Sequence, residues 1–195
     1  MLKSWNLLPK REFTRVSSMY FSSFPVMPYD SIGDYEFKTV TNILRRVALR
    51  SKVKNNVLVF DTYQVKEGET PEMVAAKLYN DPELHWVVLM VNDISDVYHQ
   101  WPMHMGQFNQ YVTEKYSNIN AIHHYEIAQS SGDTTTKIWI ENDVDSDAYT
   151  DATPVTNYEY ELELNVEKSK IRLLKTEYVR QVVSEFKSLI GASNF

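Results

Sequence analysis

Three aspartates at alternating positions and a fourth four residues later form the clearest candidate for metal chemistry in this 195-residue chain. Asp143, Asp145 and Asp147 match positions 1, 3 and 5 of a calcium-binding EF-hand loop, and Asp151 matches position 9. The glycine that such a loop requires at position 6 and the glutamate at position 12 are both missing. The spacing therefore favours a solvated acidic loop that extends from Asp143 to Asp151, and calcium binding is the alternative.

Two pairs of histidines are weaker metal candidates. His99 and His104 are five residues apart, which does not place them on one face of a helix. His123 and His124 are adjacent in a predicted strand, so their side chains should point to opposite faces. Ordinary surface or core roles are therefore the better interpretation of all four.

Glu67 and Glu69 flank a turn and could be the acid and base of a glycoside hydrolase. Exposed turns are also where glutamate ordinarily lies, so the pair alone carries little weight. The phosphate-binding, dinucleotide-binding, serine-hydrolase and zinc-protease motifs are absent. The chain has no cysteine, which excludes disulfides, thiolate metal sites and thiol nucleophiles. No constellation supports an enzyme.

Composition narrows the classes of partner. The chain has 20 basic and 26 acidic residues, a net charge of −6, which argues against non-specific binding of nucleic acid. Its longest apolar run, Trp86–Val91, is too short to span a membrane, and no signal peptide is evident. We expect a soluble protein made in a reducing cytoplasm. Aromatic residues reach 13%, which predicts large contact areas inside the fold or against partners.

Two short helices behind a strand are the best-specified elements. Thr70-Pro71-Glu72 and Asp81-Pro82-Glu83 each supply a capping oxygen, a proline at the first helical position and an acid in the first turn. They predict helices from Pro71 to about Tyr79 and from Pro82 to about Val91. A strand is predicted over residues 56–65.

The first quarter of the chain falls into two segments. Residues 1–37 lack periodicity and are rich in aromatics, and Pro25 and Pro28 favour extended backbone before them. We interpret this segment as an arm whose rings either dock onto another protein or pack on their own domain. From Thr39 to Ala48, apolar residues spaced three and four apart predict a helix.

The C-terminal part predicts strands followed by a helix. Residues 122–128 and 134–140 flank a turn and predict a β-hairpin. Strict alternation over Tyr158–Val166 predicts a strand with glutamates on one face, and Ile171–Leu174 a shorter one. Amphipathic spacing after Thr176 predicts a closing helix.

The stretch Thr62-Tyr-Gln-Val-Lys-Glu-Gly-Glu-Thr70 resembles the opening of a LysM module, where a strand leads into the first of two helices. The following Met73–Tyr79 and a second helix that closes on Val91-Asn92-Asp93 are also similar to LysM. The run Trp86–Val91 is heavier and more apolar than is usual there. Tyr98–Pro102 intervenes where the returning strand is expected.

Leu78–Asp93, followed by Trp101, resembles the baseplate wedge subunit of T-even-like contractile phage tails, which carries a LysM-like core in a chain of about this length. The aromatic segment Tyr20–Pro25 and the junction Lys168–Arg172 also look like that family. The resemblance implies a structural role: the subunit adds late to a wedge, contacts the core bundle and helps join neighbouring wedges. It implies no catalysis and no cofactor.

We therefore predict an α+β protein with a LysM-like βααβ core, an extended N-terminal arm and helix, and a C-terminal antiparallel β region closed by a helix. The expected divisions are an extended aromatic arm at 1–37, a helix leading into the core at 38–55, a LysM-like domain at 56–112, and the C-terminal strands and helix at 113–195.

Tyr20, Phe21, Phe24 and Trp101 are the candidate partner interface, as exposed aromatic anchors. The expected partners are other baseplate wedge proteins, namely the core bundle and the neighbouring wedge, with no nucleic acid, membrane or small-molecule substrate. The expected location is the virion tail baseplate, after synthesis in the host cytoplasm. The alternative is a LysM-type module of a cell-wall-associated protein that binds peptidoglycan or another glycan.

Overall fold

The computed structural model describes residues 20–49, 51–131, 134–141 and 151–191. Its helices are α1 (Ser51–Lys54), α2 (Pro71–Tyr79), α3 (His85–Val91), α4 (Val97–Gln100), α5 (Met105–Lys115), α6 (Asn157–Ser169) and α7 (Thr176–Gly191). Its strands are β1 (Val26–Asp30), β2 (Phe37–Thr41), β3 (Phe60–Gln64), β4 (Ile122–Ser131), β5 (Thr134–Glu141), β6 (Thr153–Thr156) and β7 (Lys170–Leu174). Helices accompany antiparallel sheets, so the predicted α+β class is confirmed.

The chain divides into two compact units, which differ from the four predicted segments. Unit 1 combines residues 1–48 with residues 179–195, and unit 2 comprises residues 49–178. The C-terminal helix α7 therefore begins in unit 2 and contributes most of its length to unit 1.

Unit 1 contains a hairpin where the sequence predicted extended backbone and a helix. β1 and β2 pair antiparallel from Val26 opposite Thr41 to Asp30 opposite Phe37. The predicted helix over 38–55 is therefore wrong at its start. The β-branched run of β2 finds a strand partner, and the Asn42 side chain then accepts a hydrogen bond from the backbone N–H of Leu44 at 3.2 Å, which begins a turn.

Aromatic side chains near the beginning of unit 1 pack on α7. Residues 20–23 form one turn of 3-10 helix. The Tyr20 ring stacks on that of Phe186 at 5.2 Å between centroids, and Phe24 lies at 6.3 Å from the same ring. The extended arm is thus wrong for these residues, and residues 1–19 of the predicted arm lie outside the described residues.

Unit 2 is built on a two-stranded sheet whose strands are far apart in sequence. β3 pairs antiparallel with β7, and hydrogen bonds from Val65 N to Ser169 O and from Lys175 N to Val59 O extend the pairing at both ends. The strand pairing places β7 beside β3, so the predicted boundary at residue 112 separates two strands of one sheet. Helices α2 and α3 pack together, and α3 contacts β7.

The predicted helix pair is confirmed at both of its starts. Thr70 Oγ1 accepts a hydrogen bond from Met73 N at 3.4 Å at the beginning of α2. Asp81 Oδ1 accepts one from Glu83 N at 3.0 Å, and one 3-10 turn, Pro82–Leu84, leads into α3. The core of this unit includes the following buried apolar residues: Phe60, Val65, Val74, Ala75, Leu84, Trp86, Val87, Val88, Val91, Ile171, Leu173 and Leu174.

The side chain of Asn92 joins the end of α3 to the edge of β7. Asn92 Oδ1 accepts a hydrogen bond from Arg172 N at 2.9 Å, and its Nδ2 donates to Arg172 O and to Val88 O, both at 2.8 Å. One amide therefore pairs with both backbone groups of a strand residue, as a neighbouring strand would.

A three-stranded sheet holds the strands in the order β5-β4-β6. β4 and β5 form the predicted hairpin, with Ser131 opposite Thr134 at its end and His124 opposite Glu141. β6 pairs on the other side of β4, with a bulge between Ile122 and His124. The bulge matters for the histidine pair described below.

The strand predicted over Tyr158–Val166 is wrong, because these residues belong to α6. Thr156 and Glu159 form a capping box: Thr156 Oγ1 accepts from Glu159 N at 3.2 Å, and Glu159 Oε2 accepts from Thr156 N at 2.9 Å. Tyr158 and Leu162, one turn apart, then pack on a core cluster from α5 and the residues before it, comprising Met103, Phe108 and Val112.

In the part of the chain that the structure describes, no helix combines the length and the apolar character that crossing a bilayer requires.

Candidate partner interface

The β1–β2 hairpin carries large apolar side chains on its surface. We call Val26, Tyr29, Ile32, Tyr35 and Phe37 the hairpin patch, because each is more than half exposed. Every residue of β2 is exposed. A two-stranded ribbon is marginally stable in water unless a third strand or a helix covers it. By strand alternation Val26 and Phe37 lie on one face of the ribbon and Tyr29 on the other. Exposed large apolar side chains gathered on one hairpin mark a candidate site of protein association.

Asp30 holds the loop of the hairpin in one conformation. Its carboxylate accepts hydrogen bonds from the backbone N–H groups of Gly33 at 2.6 Å, Tyr35 at 2.9 Å and Ile32 at 3.2 Å. These donors lower the pKa of Asp30, that of Gly33 foremost. Gly33 and Tyr35 both have positive φ, of 84° and 63°. The loop therefore presents Ile32 and Tyr35, which are 80% and 86% exposed, from an ordered backbone.

The aromatic residues predicted to be exposed anchors fall into two groups. Phe21 is 62% exposed, whereas Phe24 is 7% exposed and Tyr20 is half-buried against Phe186. Trp101 is 6% exposed, and its Nε1–H donates to the backbone oxygen of Glu69 at 2.8 Å. The expected exposure of Phe24 and Trp101 is therefore wrong, and partner contact through Phe21 stays a prediction.

The signal that could have revealed the hairpin patch was present in the sequence. Tyr29, Tyr35 and Phe37 are part of the aromatic excess of residues 1–37. The Gly33-Asp34 turn between the two apolar runs is a hairpin signal. The apolar residues after Thr39 are spaced as in a helix, so the sequence did not predict the strand β2.

The two glutamates considered for hydrolysis both make hydrogen bonds within the fold. Glu67 Oε1 accepts from Met105 N at 2.6 Å, at the first residue of α5. Glu69 Oε2 accepts from Tyr63 OH at 2.7 Å, and Glu69 Oε1 lies 3.1 Å from Lys77 Nζ. Burial alone would raise the pKa of Glu69, but hydrogen bonds from the Lys66 backbone and these side chains outweigh it and lower the pKa. A lowered pKa is the opposite of what a general acid needs.

The histidine pair differs from the sequence prediction in geometry. The bulge in β4 brings the rings of His123 and His124 together, with their Nδ1 atoms 3.0 Å apart, so the prediction that they point to opposite faces is wrong. His123 stacks on Tyr160 of α6 at 4.0 Å and on Trp139 of β5 at 5.8 Å. The buried His124 meets Trp139 edge to face at 4.4 Å.

A buried carboxylate lies next to this aromatic cluster. Glu161 of α6 accepts from Lys115 Nζ at 2.6 Å and from Tyr116 OH at 2.8 Å, both through Oε1. Burial would raise the pKa of Glu161, but these donors outweigh burial and lower it. The ion pair therefore joins α6 to the end of α5.

The described residues contain no cluster of three or more potential metal ligands. Asp143, Asp145 and Asp147 lie outside the described residues, so the predicted acidic loop and its calcium alternative stay predictions. The two weaker histidine candidates also gain no third ligand within the described ranges.

Two comparisons with known proteins bear on this arrangement. The family model described as "Base plate wedge protein 53" matches residues 19–149, about two thirds of the chain, including the hairpin patch and the helix pair. The chain is also similar to "Baseplate wedge protein gp53" of Enterobacteria phage T4, at 38% identity over 58 residues. That match spans 30% of this chain and 30% of the phage T4 protein. The chain therefore belongs to the base plate wedge protein 53 family, a family of structural proteins of the phage tail baseplate.

Proposed function

We propose that this chain binds other proteins of the baseplate wedge and helps to join neighbouring wedges as the tail assembles, without catalysis. The single observation that carries the proposal is the hairpin patch, which exposes apolar side chains on a ribbon whose strand β2 is exposed along its whole length among the described residues. The proposed location is the virion tail baseplate, after synthesis in the host cytoplasm. The proposed partners are the core bundle of the wedge and the neighbouring wedge.

The order of the hairpin loop supports a docking role. Asp30 fixes the backbone from which Ile32 and Tyr35 project, so little backbone freedom is lost when a partner covers them. Preorganised apolar side chains at the centre of an interface supply much of its binding free energy. We therefore expect Ile32 and Tyr35 to be central contacts, with Phe21 as a further candidate.

The test is association with each other wedge protein of the same phage, co-expressed one at a time and captured through a tag on this chain. The double variant Ile32→Ser/Tyr35→Asn removes exposed apolar surface, and asparagine tolerates the positive φ at position 35. We expect its affinity for the captured partner to fall at least about tenfold, or roughly 1.4 kcal/mol.

Val57→Ser/Leu58→Ser is the matched control, because these side chains of unit 2 are 82% and 77% exposed. It removes a similar apolar surface elsewhere and should leave the affinity unchanged. Equal affinities for all three proteins would refute docking through the hairpin patch. Failure to capture any wedge protein with the unmodified chain would refute the wider proposal.

A LysM-type glycan-binding module is the second candidate, supported by one feature of unit 2. The order β3, α2, α3, β7 with an antiparallel β3–β7 pair is the βααβ arrangement expected of a LysM-like core. We propose that this core is LysM-like, with β7 supplied after a long insertion. Retention of the micromolar protein on purified cell walls would favour glycan binding. Its absence, together with capture of a wedge protein, would leave assembly as the function of this fold.

A further inference from the structure

The contact between His123 and His124 limits how many protons the two imidazoles can hold. Their Nδ1 atoms are 3.0 Å apart, a hydrogen-bond distance, which requires an N–H on one ring and a lone pair on the other. On the far side of its ring, His124 Nε2 lies 3.3 Å from Glu126 Oε1, so an N–H is expected at Nε2. When neither ring carries an extra proton, this arrangement has His123 Nδ1–H donating to His124 Nδ1.

One extra proton is compatible with this contact. It can reside on His124, whose Nε2–H continues to donate to Glu126 while its Nδ1–H now donates to His123. His123 then carries its own hydrogen on Nε2 and accepts through Nδ1. A second extra proton is not compatible, because both Nδ1 atoms would carry hydrogen and two positive rings would face each other at 3.0 Å.

We propose that His123 and His124 form an acid-sensitive latch between the β4–β5 hairpin and α6, closed while the pair holds at most one extra proton and opened by the second. The latch acts through Tyr160, the α6 residue that stacks on His123 at 4.0 Å. Its opening loosens α6 from the sheet.

The charged groups around the pair come from β4, β5, α6 and α5, whereas β6, which pairs with β4 through Val155 opposite His124, carries none. β4 contributes Glu126, which also lies 2.9 Å from Lys137 of β5. Glu141, the cross-strand neighbour of His124 in β5, is exposed. α6 contributes Glu161 and Glu163, of which Glu161 pairs with Lys115 of α5 and Glu163 with Lys137.

These surroundings favour the closed latch at neutral pH. Burial lowers the pKa of His123 and the neighbouring His124 lowers it further, while Glu161 raises it and Lys115 lowers it. A base with a pKa below its unfolded value of about 6.5 binds its proton less readily in the folded state. The folded state is therefore fully favoured above that value and loses stability as the pH falls below it.

The experiment is a titration of the full chain labelled with ¹⁵N, following the imidazole nitrogens by NMR from about pH 8 to about pH 5. We expect hydrogen on Nδ1 of His123 and on Nε2 of His124 at the upper end. We also expect two coupled protonation steps, the second below the ordinary histidine value of about 6.5. Amide protection within α6, corrected for intrinsic exchange, should fall about tenfold for each unit by which the second step lies below that value.

His123→Phe keeps an aromatic ring against Tyr160 but cannot take a proton, so its α6 protection should not change with pH in this range. His99→Gln, which removes an exposed imidazole elsewhere, should behave as the unmodified chain. The proposal is overturned if both rings become charged while α6 stays protected, at whatever pH the second step falls, or if His123→Phe shows the same pH dependence. Should that variant not fold, the hydrogen positions and the second step in the unmodified chain decide.

Discussion

Replacement of Asn92 by alanine tests whether one side chain secures the β3–β7 sheet to the helix pair. The amide makes three hydrogen bonds, two to the backbone of Arg172 in β7 and one to Val88 O in α3. Alanine removes all three and leaves both Arg172 backbone groups without this partner. The change is confined to the end of α3 and to one edge of the sheet.

The expected loss follows from the number of bonds. A hydrogen bond contributes about 0.5–1.5 kcal/mol net, so three contribute about 1.5–4.5 kcal/mol. Water can reach the Arg172 backbone after truncation, because the bonds lie at an exposed position. We therefore expect a value in the lower half of this range, which is a decrease of about 1.5–3 kcal/mol in the free energy of unfolding.

The assay is urea unfolding followed by tryptophan fluorescence, to which the buried Trp86 and Trp101 of unit 2 contribute. With a slope of roughly 2 kcal/mol/M, the midpoint should fall by about 1 M. Asn92→Asp keeps the acceptor for Arg172 N–H but turns a carboxylate toward two carbonyl oxygens, so it should not rescue stability. Asn55→Ala, at an exposed position, is the control and should change stability by less than about 0.5 kcal/mol. Equal midpoints for Asn92→Ala and Asn55→Ala would refute the reasoning.

Two further predictions concern the cap of α6 and the pH dependence of unit 2. Thr156→Ala removes the N-cap oxygen of α6 and should lower the free energy of unfolding by about 1 kcal/mol, whereas Thr156→Ser should retain most of it, as urea unfolding would show. The pKa of Glu69 is lowered in the folded protein, so its stabilising effect is present above the ordinary glutamate value of about 4.3 and is lost as the pH falls through the lowered pKa. Lys77→Met should weaken this loss in thermal unfolding between about pH 6 and pH 3, and an unaltered pH profile would contradict the role given to the ion pair.

The elements that could be predicted from the sequence are those whose ends carry capping or turn residues. The helices that begin at Pro71 and Pro82 follow from a capping oxygen and a proline, which act within one turn of the chain. The β4–β5 hairpin likewise follows from apolar runs on either side of a turn.

Two elements, α6 and β2, differ in type from the sequence prediction because the spacing of their apolar residues fits both a helix and a strand. Tyr158–Val166 alternates as a strand would, yet Tyr158 and Leu162 also lie one helical turn apart, and packing on Phe108 selects the helix. Thr156 and Glu159, three residues apart, are also a capping-box pattern, a helix signal that competes with the alternation. For β2, the apolar spacing from Thr39 onward also matched a helix, and the pairing with β1 selects the strand.

The candidate interface was less predictable than the fold, because exposure depends on tertiary contacts. Trp101 and Phe24 are residue types that often anchor interfaces, but both are buried in this fold. Trp101 donates a hydrogen bond to the backbone oxygen of Glu69, and Phe24 lies against the ring of Phe186. Ile32 and Tyr35 are exposed because Asp30 organises a loop, an effect that requires the hairpin to be recognised first. The bulge that brings His123 and His124 together has no sequence signal that we can identify.

The pairing of β3 with β7 sets the order in which unit 2 can fold. Paired residues of these strands differ in number by 106 to 114, whereas those of the β4–β5 hairpin differ by 3 to 17. At a synthesis rate of about 5–20 residues per second, β7 leaves the ribosome roughly 5–20 s after β3. During that interval the hairpin, which needs on the order of microseconds, can close while β3 has no partner strand. Completion of the β3–β7 sheet is therefore a late event in biogenesis, and truncation before Lys170 would leave the β3 backbone available for pairing with other chains.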